Sequence, residues 1–527
     1  MAKARASRAA RFLPPPARAR LVRGRQPAAD MIARTSPTPP SRDILTAANE
    51  RPADSADDGF YQTKTPYRPQ QDASSYEAIP SGYLPISTQL VARHGSRGLA
   101  SLKYDGALHA MLSKAEADGA LTDLGRQLQA DTLALMRANA LLGHDMAGVA
   151  KPGYGNLTQA GIREHRGLAG RLLRRMSPLF DGTHAVRVVH SGKGRAVDSA
   201  RHFADALVAA RPALAASIAP ATADRFLLYF HALKADADLV TDPLDPRYAT
   251  WRDSLAYQAH AADPAIGAKL AALHASPEAS EVARAVLATL VTPGFAAKLG
   301  GDGYRFANLG THTFTAPDTG FSNTVQGDGR ATLRSAADAV HLLYNLLLVA
   351  PALTAETNGV AMETYLAAPQ ARHLAYLRDA ADFYRNGPGL REANPVTYRV
   401  ATILLDDFFA QIEASASGPA VALRFTHGEE IMAFASRLKL DGVFVPEPAA
   451  RTYAYDTNPW RGSRVSPMAA NLQWDVFRNG THRIVRMLYN ERETDFPAIC
   501  DGARIAPSSH FYDYDRLRAA YGYRRAG

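Results

Sequence analysis

The chain has 527 residues, which is enough to bury one large hydrophobic core or two to three smaller ones. Its hydrophobic content of 46% is ordinary for a globular protein, and no apolar run approaches the roughly 18 residues that a membrane-spanning helix needs, so no transmembrane segment is expected. The single cysteine, Cys500, excludes an intrachain disulfide and any zinc site built on cysteines.

The net charge of +9 is confined to the N-terminal end. Residues 1–42 hold ten Lys and Arg against one acidic residue, Asp30, and the remaining chain is balanced. We therefore expect no nucleic-acid partner for the folded body. The basic segment is rich in Ala and Pro and lacks the apolar stretch of a secretory signal. We expect residues 1–80 to be a disordered basic and Pro-rich extension, with packed structure beginning only at about residue 80.

Four short apolar runs predict strands, and the first of them is followed at once by basic residues. The runs are residues 85–92, 185–190, 420–425 and 482–490. In the first run the alternation places on one face Ile86, Thr88, Leu90 and Ala92, and on the other Val91. Such short alternating runs are typical of half-buried strands.

Three of these strands end in a Gly-containing turn that carries His or Arg and opens towards a helical pattern. The turns are "RHGSR" (93–97), "SGKGR" (191–195) and "THGEE" (426–430). In open α/β sheets, ligands bind outside the carboxyl ends of the strands, near helix N-termini. The side chains that should meet there are Arg93, His94, Arg97, Arg195, His427 and Glu429.

Most of the remaining chain has helical periodicity. The stretch "LTQAGIREHRGLAGRLLRRM" (157–176) predicts a helix capped by Thr158, and residues 212–400 contain long Ala/Leu-rich runs. The predicted fold class is α/β: a three-layer core with a mixed, mostly parallel sheet flanked by helices, plus an inserted, mainly helical domain. The core is assigned to residues 81–211 and 401–515, and the insert to residues 212–400.

The residues at the strand ends suit the chemistry of a phosphate monoester, which is close to a dianion at neutral pH. Arg93, Arg97 and Arg195 can bind its oxygens through guanidinium groups, which form paired hydrogen bonds to such anions. His94 is a candidate nucleophile, because a neutral imidazole nitrogen can attack phosphorus and form a covalent intermediate. Glu429, beside His427, is a candidate acid for the leaving oxygen, so an acidic pH optimum is expected.

Together these stretches resemble the histidine phosphatase superfamily, on its acid phosphatase and phytase branch. "RHGSR" resembles the nucleophile motif RHGxR, and "RFTHGEE" (424–430) resembles the His-x-Glu form of the proton-donor motif. The second phosphate-binding stretch and the LTxxG helix are matched by "HSGKGRAVDSARHF" (190–203) and "LTQAGIREHRGLAGRLL" (157–173). With "LYNERE" (488–493), the set is similar to the multiple inositol polyphosphate phosphatases.

The resemblance implies that His94 forms a phosphohistidine and that Glu429 protonates the leaving group. It implies a phosphate clamp made of Arg93, Arg97, Arg195 and His427. No cofactor and no metal is implied, and the partner is a small phosphorylated molecule: an inositol polyphosphate, with 2,3-bisphosphoglycerate as a further candidate. It also suggests a secreted or periplasmic protein, although no signal peptide is recognisable.

Some assignments stay open. Leu99 stands where the family usually has proline, and Gly428 replaces the usual alanine of the donor motif, which leaves Glu429 and Glu430 as alternative acids. Lys103, Tyr104 and Lys193 lie next to the motifs and are candidates to contact further phosphates, although solvated lysines explain the sequence as well. The alternative functions are a broad-specificity acid phosphatase, a phosphoryl-transferring mutase and a catalytically silent interaction protein with a basic tail.

Overall fold

A mixed eight-stranded sheet organises the computed structural model, which describes residues 60–301, 303–393, 395–415 and 418–523. The strands in chain order are β1 (Leu84–Arg93), β2 (Val186–His190), β3 (Thr222–Ala223), β4 (Phe306–Ala307), β5 (Thr311–Thr315), β6 (Ser322–Gln326), β7 (Thr332–Leu333), β8 (Val421–Thr426), β9 (Asn471–Asn479), β10 (His482–Tyr489), β11 (Arg492–Glu493) and β12 (Phe511–Asp513). Four of them coincide with the four predicted strands, which are confirmed.

The strand order is β11-β10-β9-β1-β8-β2-β3, with β12 paired to β10. The strands β1, β8, β2 and β3 pair in parallel, whereas β9, β10, β11 and β12 form antiparallel pairs. Parallel strands end at the same edge, so Arg93 lies opposite Thr426 and His190 lies opposite Phe425 at the end of the sheet. The predicted mixed sheet with a parallel core is confirmed.

The helices either cover the two faces of this sheet or pack against one another in a separate hydrophobic cluster. They are α1 (Tyr104–Ala117), α2 (Asp123–Leu141), α3 (Gln159–Arg175), α4 (Gly194–Ala210), α5 (Arg225–Leu228), α6 (Pro246–Ala261), α7 (Pro264–His274), α8 (Pro277–Leu290), α9 (Pro293–Ala296), α10 (Ala336–Val349), α11 (Ala368–Asn386), α12 (Val396–Arg399), α13 (Thr402–Ala414), α14 (Gly428–Arg437), α15 (Gly462–Val465) and α16 (Tyr514–Ala520). Thr158 caps α3 as predicted, since its hydroxyl accepts a hydrogen bond from the N–H of Gly161 at 3.2 Å.

The three layers follow from the alternation of apolar residues along the strands. Leu90 and Ala92 pack with α3 and α4 on one face, and Val91 packs with α13 and α14 on the other. Ile86 was expected beside Leu90 but packs on the Val91 face. The register of β1 against β9 shifts between Pro85 and residue 87, and a one-residue shift exchanges the faces.

The segment 212–400 is mainly helical, with two small two-stranded sheets formed by β4 with β7 and by β5 with β6. Its helices α8 and α10 share a hydrophobic cluster with α1 and α2, which precede the segment. The window Ala336–Leu353, which contains α10, is long and apolar enough to span a membrane, but 72% of it is buried inside the protein. The division of the chain into a core and an inserted domain stays a prediction.

Residues 60–80 are packed, which corrects the expectation that structure begins at about residue 80. A short 3-10 helix, Gln62–Lys64, is followed by Tyr67, whose side chain is 5% exposed. The N–H of Tyr67 donates to Glu164 of α3 at 3.0 Å. Hydrogen bonds to residues far away in the chain hold this segment, and its own sequence has no regular spacing of apolar residues. Its composition therefore did not predict that it would be structured. Residues 1–59 lie outside the described residues.

The turn after β1 and the first turn of α3 meet backbone to backbone. A Cβ atom at Gly95 would lie 2.5 Å from the carbonyl oxygen of Gly161, and one at Gly161 would lie 2.1 Å from the carbonyl oxygen of Ser96. Both distances are far below van der Waals contact, so only glycine fits at either position. The glycines of two separate motifs therefore serve one contact, which holds the turn that carries His94.

We predict that Gly161→Ala lowers the free energy of unfolding by about 2 kcal/mol or more, because α3 and the turn must separate to admit the methyl group. Chemical denaturation measures the change. The matched control is Gly267→Ala inside α7, where a Cβ atom meets nothing within 4 Å. The control should be neutral or stabilised by about 0.5–1 kcal/mol. Equal stability of the two variants would contradict the close approach.

Candidate active site

The carboxyl edge of the parallel strands brings two histidines together. His94 directly follows β1 and His427 directly follows β8, and their rings lie 5.4 Å apart between centroids. Arg195 lies in the first turn of α4, after β2, and its Nη2 donates to Nδ1 of His427 at 3.0 Å. The turns that the sequence placed at one sheet edge therefore converge.

His94 is held in one tautomer. Its Nδ1 lies 2.9 Å from the carbonyl oxygen of Gly95, and because a carbonyl only accepts, Nδ1 carries the proton. Nε2 of the neutral ring then carries the lone pair. The side chain is 2% exposed, and burial together with the charges of Arg195 and Arg93 lowers the pKa of His94 well below 6.5. The imidazole is therefore neutral and able to act as a nucleophile.

Three arginines surround this imidazole, and each is fixed by one hydrogen-bonding arm. Nη1 of Arg93 donates to the carbonyls of residues 63, 466 and 467, and Nη1 of Arg97 donates to the Gly98 carbonyl at 2.7 Å. In Arg93, Arg97 and Arg195 alike, the buried Nε–H has no hydrogen-bond partner among the described residues. A buried unpaired donor costs about 1–3 kcal/mol, and the oxygens of a bound oxyanion would satisfy it.

The positive charges at the site act on one another. Burial, then Arg195 and Arg93, lowers the pKa of Arg97 to about 9. Burial lowers the pKa of Arg93 to about 10. Like charges at this density are unfavourable in a medium of low polarity, and a dianion placed among them reverses the sign of that energy. The arrangement is suited to bind a phosphate group.

His427 uses both ring nitrogens within the protein. Nδ1 accepts from Arg195, so Nε2 carries the proton and donates to the hydroxyl of Ser191 at 2.9 Å. Burial and the charge of Arg195 lower the pKa of His427 to about 2. The ring of Tyr229 packs against it at 5.1 Å. The structure thus places His427 beside His94, with its N–H directed to Ser191.

The two glutamates of the donor motif lie in different surroundings. Glu430 is fully buried and forms an ion pair with His231, while Glu429 is half-buried in the first turn of α14. Burial opposes the charge of His231, but the carboxylates of Glu430 and Glu429 raise its pKa to about 9. Burial also raises the pKa of Glu429, but the charges of His231 and Arg93 hold this pKa below its usual range.

The three further candidates occupy two separate positions, and only Lys193 has a recorded link to the histidines. The Nζ of Lys193 lies 4.6 Å from the ring centre of Tyr229, which links it to His427. Lys103 is exposed, and its Nζ lies 5.2 Å from the ring centre of Tyr104 at the start of α1. No group of three or more His, Cys, Asp or Glu side chains within the described ranges could hold a metal ion.

Several residues of the site were not singled out by sequence reasoning. Ser199 accepts from the N–H of Gly95 at 3.1 Å and donates to the carbonyl of Arg195 at 2.7 Å, so it ties two motifs together. Glu164 accepts from the N–H and hydroxyl of Ser96 at 2.6 and 2.7 Å. Ser199 lies four residues after Arg195, within the matched stretch 190–203, but no role was assigned to it from the sequence. Glu164 lies inside the matched stretch 157–173 without an assigned role, and Tyr229 and His231 lie in no motif.

Comparisons with known proteins identify the family of the chain. Residues 359–490 match the family model of the histidine phosphatase superfamily (branch 2). The structure of the Bifidobacterium longum multiple inositol polyphosphate phosphatase in complex with inositol hexasulfate is 31% identical, with a TM-score of 0.74, and the match covers 87% of this chain and 96% of that chain. The chain therefore belongs to the histidine phosphatase superfamily, branch 2, and is a phosphatase.

Two further solved structures extend this comparison. The phosphate complex of the Bifidobacterium longum protein gives a TM-score of 0.77 at 30% identity, with coverage of 87% of this chain and 96% of that one. The phytase from D. castellii, at 15% identity and a TM-score of 0.56, shares the fold and covers 88% of this chain and 85% of its own. No curated protein matches the sequence.

We predict that kcat/KM for a phosphate monoester does not decline as the pH falls from about 7 to about 5. An ordinary histidine with a pKa of about 6.5 would become protonated in this range, whereas the lowered pKa keeps His94 neutral. Two monoesters that differ in their second phosphate pKa separate the ionisation of the substrate from that of the enzyme. A tenfold decline per pH unit below about 6.5 with both substrates would contradict the prediction.

Proposed function

We propose that the protein is a phosphomonoesterase that hydrolyses inositol polyphosphates through a phosphohistidine intermediate on His94. The observation that carries this proposal is the set of three buried, unpaired Nε–H donors, on Arg93, Arg97 and Arg195, around the free lone pair of one imidazole. The relative crystallised with inositol hexasulfate and with phosphate supports the substrate class. The broader activity of a general acid phosphatase is the alternative.

The first step transfers the phosphoryl group to the enzyme. Nε2 of His94 attacks phosphorus in line with the ester oxygen, the N–P bond forms and the P–O bond breaks. The leaving oxygen takes a proton from the carboxyl group of Glu429, so the product is a neutral alcohol and a carboxylate remains. The arginines hold the equatorial oxygens, whose negative charge persists through the transition state.

The second step returns the enzyme to its initial state. A water molecule attacks the phosphorus of the phosphohistidine and gives a proton to the Glu429 carboxylate. The N–P bond breaks, its electron pair returns to Nε2, and inorganic phosphate leaves. Nδ1 keeps its proton throughout, because the Gly95 carbonyl holds it in place. This hydrogen bond also keeps the reacting nitrogen directed away from the backbone.

Glu429 must be protonated in the first step, although its pKa is low among the surrounding cations. A bound phosphate dianion changes this balance, because it neutralises the nearby arginines and adds negative charge beside the carboxylate. We therefore infer that substrate binding raises the pKa of Glu429 and supplies the proton donor. Glu430 is unsuited to this role because it is buried and paired with His231.

Replacing the nucleophile gives the direct test. We predict that His94→Ala lowers phosphate release from inositol hexakisphosphate at least about 10³-fold, because the covalent route is lost. Acid-labile, base-stable labelling from a radioactive phosphate donor should appear on the wild type and be absent from the variant. His190→Ala, at the end of β2, is the control. Retention of wild-type turnover by His94→Ala would overturn the mechanism, and an inactive wild type would favour a silent fold.

Leaving-group dependence tests the acid. Glu429→Gln should slow hydrolysis of an inositol phosphate by about 10²-fold or more, but it should slow hydrolysis of a nitrophenyl phosphate much less, because that leaving group needs no proton. Glu430→Gln removes the partner of His231 and should affect both substrates alike. If Glu430→Gln instead shows the leaving-group dependence, the roles of the two glutamates are reversed.

A further inference from the structure

A second group of basic side chains lies beside the His94 site, on elements that no motif connects with it. Its two members are Lys64, from the 3-10 helix Gln62–Lys64, and Arg378, from α11. They are separated by more than 300 residues in the sequence, so only the fold brings them near each other. We call them the Lys64–Arg378 pair.

Hydrogen bonds hold Lys64 next to the phosphate pocket. The carbonyl of Thr63, the preceding residue, accepts from the guanidinium of Arg93. Three residues later, the N–H of Tyr67 donates to Glu164 at 3.0 Å, and the same carboxylate binds the turn that carries His94. Lys64 thus lies between two attachment points on the active-site turn, and its position is fixed with respect to the pocket.

Arg378 lies on a helix that packs against the segment carrying Lys64. The 3-10 helix that carries Lys64 packs against both α10 and α11. Nη1 of Arg378 donates to Asn345 of α10 at 3.3 Å, and its buried Nε–H has no partner within the described residues. The side chain lines a cavity of ≈ 390 Å³ together with His341 and Tyr344. Arg378 therefore combines a free buried donor with an open space.

The main charges acting on Lys64 are three cations, Arg97, Arg93 and Arg378, and one carboxylate, Glu429. Within the described part of the chain, the ammonium of Lys64 has no hydrogen bond or ion pair. The carboxylate of Asp382, which lines the same cavity, already accepts from Gln62 and Asn386. Burial, followed by Arg97, Arg93 and Arg378, lowers the pKa of Lys64 well below its usual value. One phosphate dianion together with Glu429 offsets the three arginines around His94. Neither Lys64 nor Arg378 forms an ion pair within the described residues, so both remain available to a second anion.

We propose that Lys64 and Arg378 form a second anion subsite, which binds a further phosphate group of the substrate whose first phosphate lies against His94. This inference rests on the proposed function and makes it more specific. It selects substrates that carry at least two phosphate groups on one polyol, because only these engage both sets of cations at once. Lys103 adds a further positive charge in this region. It is exposed and lies next to Tyr104, whose ring contacts His341 of the cavity that Arg378 lines.

Calorimetric binding tests the subsite without requiring turnover. Inositol hexasulfate and inorganic phosphate are titrated into the full chain and into Lys64→Met, Lys64→Arg and Arg378→Met. We expect Lys64→Met and Arg378→Met each to weaken hexasulfate binding about tenfold, and phosphate binding by less than about twofold. Lys64→Arg should keep most of the hexasulfate affinity, since it preserves the charge. Lys298→Met is the control, because that exposed ammonium lies over the ring of Tyr304 at 5.5 Å.

Each contrary outcome has a distinct meaning. Unchanged hexasulfate affinity in both Met variants overturns the subsite, and so does equal weakening of the two ligands. Two phosphate ions per wild-type chain and one per Lys64→Met chain, with hexasulfate affinity unchanged in that variant, would assign the subsite to free phosphate and overturn its role in substrate binding. Thermal unfolding identifies a variant that fails to fold, in which case the other Met variant decides. A wild type that binds hexasulfate but hydrolyses no inositol phosphate refutes the proposed function alone.

Discussion

A cluster of buried guanidinium groups that Glu429 offsets only in part is the constraint on which the rest of the structure depends. Arg93, Arg97 and Arg195 lie around one neutral imidazole, and each keeps a buried donor unpaired among the described residues. In a medium of low polarity this arrangement is costly, and the cost must be met by packing elsewhere. A phosphate dianion removes the cost on arrival. The same groups that destabilise the free site therefore favour the bound anion, and they favour the charge of the transition state as well.

The fold supplies the rigidity that such a site needs. Parallel strands end at one edge, and the helices α4 and α14 begin there, so their N-termini add partial positive charge to the same space. The backbone contact between Gly95 and Gly161 fixes the turn that carries His94. Ser199 then joins that turn to Arg195. Each motif of the sequence thus holds another motif in place, in addition to its chemical role.

The sequence predicted those parts of the molecule in which local pattern and architecture agree. Alternation identified β1, β2, β8 and β10, and the rule for strand ends brought their turns together. The strand β9 was missed although Leu472, Trp474 and Val476 alternate regularly, so its signal was present. The order of residues 60–80 could not be predicted, because Thr63 and Tyr67 are held by Arg93 and Glu164, far away in the chain. The pairing of Glu430 with His231 is equally invisible before folding.

The hydrogen bonds of Arg93 have a consequence for how the protein becomes active. One nitrogen of this side chain joins the carbonyls of residues 63, 466 and 467 to the end of β1. Residue 63 and residues 466 and 467 lie near opposite ends of the described chain. The guanidinium of Arg93 is therefore oriented only when both segments are packed against the end of β1. A nascent chain that has not yet reached residue 467 has the histidine motif but no completed anion site. Catalytic competence therefore requires long-range contacts between the two ends of the chain, and the histidine motif alone does not provide it.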